Sequence, residues 1–462
     1  MKSVAVIGGG ITGLTTAFRL HQLDVPVTLY EASSQVGGPM RTIREKGYLA
    51  EFGPNTILET SSLITKLIQD LGIEHRRRDS NPAMKNNYII RNGKMVTLPF
   101  SPLKLATTPL FSLRGKLRVA LEPFIRANHQ ADDESLADFV IRRLGREMLD
   151  YAIDPFVAGI YAGDPFQLSV RHAFPRLQAL EEKYGSLILG AILGAKNREK
   201  RTEIPKNKAK KVSFDEGLQV LTDALHAALS QTVKLNAEVT GLEKKGSEWS
   251  LSVHTKNGEE QHLHCAVILT APAHKLAKLS VRGESVVDFS VLGKIHHPPV
   301  ARVVFGFRLE DVGVPLNGFG FLVPKVERLN ILGTTFSSSL FENRAPAGHV
   351  TLTTFLGGCR QPELATESSE KLFDYTLRDL QKILKISGKP TYQHHTLFPW
   401  AIPQYNKGYQ EVFDFLNAIE EKLPGLFFAG NFRTGISAAD CILAGHDMAN
   451  RVSAYNQSLK TR

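Results

Sequence analysis

The stretch Val4-Ala5-Val6-Ile7-Gly8-Gly9-Gly10-Ile11-Thr12-Gly13 decides the fold. An apolar strand runs into G-x-G-x-x-G. A helical run then carries the chain to a second apolar strand, Val27-Thr28-Leu29-Tyr30, closed by Glu31. In that context each glycine has a mechanical reading. Gly8 permits the tight turn, Gly10 lets a pyrophosphate approach the backbone, and Gly13 lets the helix pack close on the strand. The helix N-terminus, with Gly9 and Thr12 in its turn, presents free N–H groups to phosphates. Glu31, with Ala32 beside it, stands where a carboxylate accepts from ribose hydroxyls. An ordinary Gly-rich turn is the alternative, and strand, helix and acidic terminator together favour a dinucleotide.

Composition describes an ordered globular protein, with 42% of its 462 residues hydrophobic and 22% charged. That is enough for a large core and two or three modules. The motif begins so near residue 1 that no cleavable signal or transit sequence is expected. No apolar run reaches the ~20 residues that a spanning helix needs. Ser186 to Ala195 reads as a buried helical turn or an interfacial segment. Cys265, Cys359 and Cys441 lack metal-ligand spacing, which fits packing roles in a reducing cytoplasm rather than disulfides. The net charge of +10 is local, because Lys196 to Lys211 carries eight basic and two acidic residues. Such a run reads as a solvated loop, or as a contact for anionic lipid or an acidic partner. It has no interleaved aromatics, so nucleic acid is not expected.

Strand-like alternation returns at Thr232–Val239, Trp249–Thr255 and Leu263–Thr270, then at Ala301–Phe307, Gly320–Val323, Asn330–Phe336 and Val350–Phe355. Near the C-terminus Leu426-Phe427-Phe428-Ala429-Gly430-Asn431 reads as a buried strand entering a Gly-rich turn before a long helix. The expected fold is α/β. Residues 1–90, 206–285 and 400–462 assemble a Rossmann-type nucleotide domain. Residues 91–205 form a helical insertion, and 286–399 an antiparallel β substrate domain.

Three separated segments identify the dinucleotide. Gly37-Gly38-Pro39-Met40-Arg41, Gly53-Pro54-Asn55-Thr56 and Ala429-Gly430-Asn431 with Gly435-Ile436-Ser437-Ala438 resemble the FAD-binding fingerprints of the amine-oxidase-like flavoproteins. The resemblance implies non-covalent FAD. Gly38 and Arg41 then lie at the diphosphate, Gly53-Pro54-Asn55-Thr56 beneath the isoalloxazine, and Gly430, Asn431, Ile436, Ser437 and Ala438 at its pyrimidine edge; Val239 and Trp400 complete the set. Pro39 departs from the pattern, since it has no N–H to donate to the cofactor.

Further segments narrow the resemblance to the oxygen-dependent protoporphyrinogen oxidases, over nearly the whole chain. They include Phe156–Pro165, Gly318-Phe319-Gly320-Phe321-Leu322-Val323-Pro324, Leu332–Ser338, Phe341-Glu342-Asn343-Arg344-Ala345-Pro346 and Trp400-Ala401-Ile402-Pro403-Gln404-Tyr405. The implied activity is oxidation of protoporphyrinogen IX to protoporphyrin IX in haem biosynthesis, with oxygen as acceptor. Hydride leaves a methylene bridge for the flavin. Because the cofactor carries the redox step, no catalytic side chain is assigned. Arg91 resembles the propionate-binding arginine, Gly163 a glycine near substrate and flavin, and Phe336 an aromatic wall. The bland alternatives are a strand-end arginine, a turn glycine and a sheet-core phenylalanine. The histidine pairs 296–297 and 394–395 read as structural, and no metal is expected. Between Lys94 and Arg126 six basic residues sit among Leu, Phe and Pro, opposed only by Glu122. This reads as a segment lying at a bilayer interface, with a lid as the alternative. The expected location is therefore cytoplasmic, peripheral on the inner face of the membrane. A homodimer and the enzyme accepting the product are candidate partners. A coproporphyrinogen III oxidase is the nearest competing reading, and a non-catalytic flavin-binding porphyrin chaperone the reading from another class.

Overall fold

The computed structural model describes residues 3–99, 101–128, 133–194, 204 and 209–459. Most of the basic run from Lys196 to Lys211 therefore lies outside the described residues. The strands that position the site are β1 (Val4–Ile7), β2 (Val27–Tyr30), β3 (Asn86–Arg91), β4 (Lys94–Thr97), β5 (Val233–Lys234), β6 (Ala266–Leu269), β7 (Val300–Arg308), β8 (Gly318–Leu322), β9 (Ile331–Phe336), β10 (His349–Gly357), β11 (Tyr392–Phe398) and β12 (Leu426–Phe428). The helices used below are α1 (Ile11–Gln22), α2 (Leu113–Ala120), α3 (Leu136–Leu144), α4 (Asp154–Tyr161), α5 (Leu187–Leu193), α6 (Ser369–Leu384) and α7 (Ala438–Ser458).

Central strands of a parallel sheet are covered on both faces, so they read as unbroken apolar runs. β1 does so, and all four of its residues are buried. The first sheet has the order β5-β2-β1-β6-β12 and is parallel throughout, with Val6 opposite Leu29 and Ile268. Its last strand comes from the far end of the chain, which brings the Gly430 turn beside the Gly8 turn. α7 then lies along α1, because Gly445 has no side chain to hold it off the Thr12 carbonyl and Thr15.

The second sheet has the order β11-β7-β10-β9-β8-β3-β4. It is antiparallel except where β8 runs parallel to β3. The sequence division at residues 90 and 91 therefore falls inside a strand of this sheet. Asn92 and Gly93, at φ 52° and 71°, make the two-residue hairpin turn that holds β3 to β4. Tyr88 and Ile90 then continue the β-domain core instead of the nucleotide domain's.

The helical insertion is fixed by a buried ion cluster. Arg143 on α3 pairs with Glu122 and Glu181, all buried. Glu122 also accepts from Ser186 Oγ, Leu187 N and Ile188 N, so it caps α5. Glu122 is therefore an interior group, not a surface counter-charge to the basic residues around it.

Candidate active site

The glycine turn is built as its spacing predicts. Gly8 has φ +111°. A Cβ on Gly13 would collide with the Gly8 carbonyl and Thr270 Oγ1, whereas a Cβ on Gly10 would meet nothing within 4 Å. A group passing the turn at Gly10 would meet no side chain there. Glu31 Oε2 accepts from Gly9 N at 2.6 Å, and Oε1 accepts from Ser33 N and Oγ. A carboxylate has about four acceptor positions, which leaves room for a ribose hydroxyl. Ala32 is exposed beside it. Asn236 and Ala237 hydrogen-bond to the Ser33 and Glu31 carbonyls, bringing Val239 to the same end.

The second glycine pair closes on the first. Gly37 N donates to the Gly9 carbonyl at 2.8 Å, and Gly38, at φ +55°, lies against Gly10, whose Cα is 3.7 Å from the position of a Cβ on Gly38. Arg41 follows, stacked 4.3 Å from the Phe52 ring, with Nε buried and unpartnered among the described residues. A buried cationic donor without an acceptor beside an empty glycine cradle fits an anionic cofactor. On the opposite side, Ser437 caps α7 in a reciprocal pair with Asp440. Cys441 on α7 lies beside Thr12 on α1, so two helix N-termini share one end of the site. Their dipoles favour negative charge there.

Gly53 packs on Pro39, where a Cβ would meet the Pro39 carbonyl at 2.6 Å. The loop through Pro54, Asn55 and Thr56 then lies against the second sheet, and Asn55 shares a small cleft with Thr335 and Arg344. Trp400 is 57% exposed and stacks on His274, just past the end of β6. Two tyrosines were not anticipated as site elements. Tyr405 Oη donates to the Asn431 carbonyl and accepts from Gly435 N, and Tyr409 Oη donates to the Phe432 carbonyl. Together they clamp the loop from Gly430 to Gly435.

The pairing register of the second sheet separates the proposed substrate residues. Phe336 lies opposite Leu352, and both are buried in the core beneath α6 with Phe321 and Leu372. The expectation that Phe336 forms a substrate wall is therefore corrected. Side chains alternate along a strand, and Phe336 points to the wrong face. The other face carries a row that crosses the strands: Thr396, Arg302, Phe355, Gly333, Leu322 and Ile89. Phe355 is the aromatic residue of that row and packs with Ala158, Ala162 and Leu332.

Arg91 stands on this face at the end of β3, half-buried. Its Nη1 donates to the Leu110 carbonyl and to Glu147 Oε1, and its guanidinium lies 4.1 Å from the Tyr151 ring. Tyr151 belongs to the π-helical turn Leu149–Ile153 that leads into α4. Gly163 is buried, with Gln404 against the position of a Cβ. Gln404 Nε2 donates to the Tyr161 and Ile402 carbonyls, so the amide orientation is fixed and Oε1 is left buried and unpartnered among the described residues. The histidine pairs make local contacts, His297 with the Ile295 carbonyl and His395 with Ser369.

Residues 11–453 match the family described as flavin containing amine oxidoreductase. The chain belongs to that family. It is 39% identical to the mitochondrial protoporphyrinogen oxidase of Nicotiana tabacum, over all of this chain and 96% of that one. It is 32% identical to the coproporphyrinogen III oxidase of Bacillus subtilis, over 98% of each. The cyclohexylamine oxidase of Brevibacterium oxydans has the same fold, with a TM-score of 0.71, 16% identity and 99% of each chain covered. A chain from Exiguobacterium sp. 255-15 also shares it, with a TM-score of 0.80, 24% identity and 98% and 99% coverage. The protein is thus a flavin-dependent oxidase, its cofactor FAD.

The thiol nearest the site argues for non-covalent attachment. Burial pushes Cys441 up to about 11, so it stays protonated and is a poor nucleophile. Acid precipitation should release all the flavin into a yellow supernatant. Colour retained in the pellet would show a covalent bond.

Proposed function

We propose that this protein oxidises protoporphyrinogen IX to protoporphyrin IX, with oxygen as the final acceptor and release of peroxide. The observation that carries this reading is the face of the second sheet. Arg91 on β3 and Phe52, which leads into the Gly53-Pro54-Asn55 loop and lies against Arg302 on β7, are four strand spacings apart, about 19 Å at ~4.8 Å per strand. A tetrapyrrole with a propionate arm spans that length. The stronger full-length identity to a protoporphyrinogen oxidase favours this substrate over coproporphyrinogen.

FAD, when bound, supplies the acceptor for a hydride from a methylene bridge. The chain's part is placement. Arg91 holds a propionate, while Leu322 and Phe355 cover the apolar macrocycle and exclude water. Gly163 leaves room for the Gln404 amide to sit against the backbone. The pyrrole N–H groups of a porphyrinogen are donors, and Gln404 Oε1 is an acceptor beside Gly163.

Parallel steady-state kinetics under air with protoporphyrinogen and coproporphyrinogen, with peroxide assayed, test the reading. The expected result is a higher kcat/KM for protoporphyrinogen and peroxide in proportion to turnover. A preference for coproporphyrinogen transfers the assignment to the second substrate. Binding without turnover indicates a porphyrin carrier.

A lipid surface is part of the same proposal. Among the described residues no helix is long and apolar enough to cross a membrane. Leu113 and Leu117 on α2, and Leu121 just past its end, are nevertheless 74%, 56% and 55% exposed, followed by Phe124 at 84%. Ile192 and Leu193 on α5 are also exposed, and α5 contacts the turn containing Phe124. Leu110 and Phe111 are core residues and take no part. Arg118 turns inward to the Arg142 and Arg143 carbonyls, while Lys94, Lys104, Arg114 and Arg126 face solvent. Each basic residue near an anionic surface contributes about 1 kcal/mol, which salt screens, and inserted apolar side chains add a term that salt does not remove. The protein should sediment with anionic liposomes, less but still measurably at high salt. Replacing Leu113, Leu117, Leu121 and Phe124 by serine should leave only the salt-sensitive part. Wild-type protein remaining in the supernatant at low salt would make this face a lid.

A further inference from the structure

Arg302 is the residue of the second sheet that the reading so far leaves unexplained. Its side chain is fully buried, and among the described residues Nε and Nη1 have no hydrogen-bond partner. Nη2 alone is engaged, donating to Thr396 Oγ1 at 3.0 Å. A buried guanidinium with idle donors and no paired carboxylate is costly unless something outside the chain completes it. The nearby carboxylate does not. Glu51 is occupied by Thr42 Oγ1, the Leu218 N–H and Arg344, and burial raises it towards neutrality, to about 7. Tyr392 and the imidazoles of His394 and His395 are the other titratable groups facing Arg302, and none of them is an anion at neutral pH.

Its place in the fold says what completes it. In the row that runs from Thr396 to Ile89, beside Arg91, Arg302 stands next to the Thr396 end, so the two arginines lie towards opposite ends of the sheet face. At the Arg302 end the covering element is the FAD loop. The Phe52 ring is 5.5 Å from the Arg302 guanidinium and 4.3 Å from that of Arg41, so one aromatic ring lies between two cations. Phe52 is followed directly by Gly53-Pro54-Asn55.

We propose that Arg302 is a cofactor-contacting residue whose fixed charge stabilises the negative charge that a bound flavin gains on reduction, and thereby raises its reduction potential. The free donors are then satisfied by the cofactor and not by substrate. A preorganised cation in a dry site acts on developing charge without any reorganisation of water.

The test compares purified Arg302→Met, Arg302→Lys and wild-type holoenzymes, with the two-electron midpoint of the bound FAD measured by dye equilibration without any porphyrinogen. Failure of the porphyrinogen reading would therefore leave this experiment intact. Arg302→Met should favour the oxidised flavin at least tenfold more than wild type, a midpoint lower by about 30 mV or more. Arg302→Lys should recover most of the shift. A second measurement covers poor flavin retention by the variant: the apoprotein melting temperature. Removal of an unpaired buried charge should raise the melting point of Arg302→Met apoprotein above that of wild-type apoprotein, and FAD should stabilise wild type by more than it stabilises the variant. A midpoint unchanged in Arg302→Met, or changed equally in Arg302→Lys, overturns the proposal. So does an effect confined to the KM for porphyrinogen, which would make Arg302 a substrate contact.

Discussion

Gly10→Val should yield a folded protein that contains no flavin. Loss of a cofactor is usually hard to separate from loss of structure, but this position separates them. Gly10 has φ −72° and ψ 174°, an extended conformation that valine adopts readily. A Cβ there meets no protein atom within 4 Å. The side chain therefore starts into open space, where a diphosphate at this turn would lie, and the melting temperature of the apoprotein should match that of wild-type apoprotein. Gly13→Ala is the contrasting variant. Its Cβ would run into the Gly8 carbonyl and Thr270 Oγ1, and overpacking of that kind costs about 1–3 kcal/mol or more. It should lower the melting temperature of the apoprotein as well as its flavin content. The measurements are flavin absorbance per mole of protein and thermal melting of both apoproteins. A Gly10→Val protein that retains stoichiometric flavin would move the diphosphate away from this turn.

The two variants also show which features were legible in the sequence. Gly8 and Gly13 act over a few residues, and their spacing predicts the turn and the close helix packing that the structure has. The same holds for β1, whose apolar run follows from burial on both faces. What local pattern cannot supply is which strand lies beside which. Phe336 and Phe355 each sit in an apolar β run, and only the pairing of β9 with β10 assigns them to opposite faces. Asn92-Gly93 signals a hairpin, yet the parallel partner that draws β3 into the second sheet is more than two hundred residues away. Arg302 has a visible mark, a charge inside Val300-Ala301-Arg302-Val303-Val304. The mark alone cannot say whether that charge finds a carboxylate, water or a cofactor. In sequence Leu110, Phe111 and Leu113 are alike, three apolar residues of one basic segment. The first two are buried by β3 and the helical turn at Tyr151, and Leu113 is left outside.

Arg91→Ala should raise the KM for protoporphyrinogen tenfold to over a hundredfold while flavin content stays unchanged. Both hydrogen bonds that Arg91 makes to described residues come from Nη1, one to the Leu110 carbonyl and one to Glu147. The edge formed by Nε and Nη2 remains for a bidentate carboxylate, a geometry that lysine cannot reproduce. Hydrogen bonds to a charged group are worth about 1.5–3 kcal/mol, which sets the expected range. The propionate lies away from the reacting carbon and is held alike in substrate and transition state, so the loss falls on KM rather than kcat. Glu147 gives the opposite sign. Its carboxylate competes with the propionate for the same guanidinium, so Glu147→Gln should lower KM, provided the neutral amide keeps its contacts with Ser112. The pair of variants distinguishes a propionate site from a structural ion pair. If Arg91 and Glu147 served only to fasten β3 to the helical insertion, both substitutions would lower stability and neither would move KM in opposite directions. An unchanged KM in Arg91→Ala would remove the propionate from this end of the sheet.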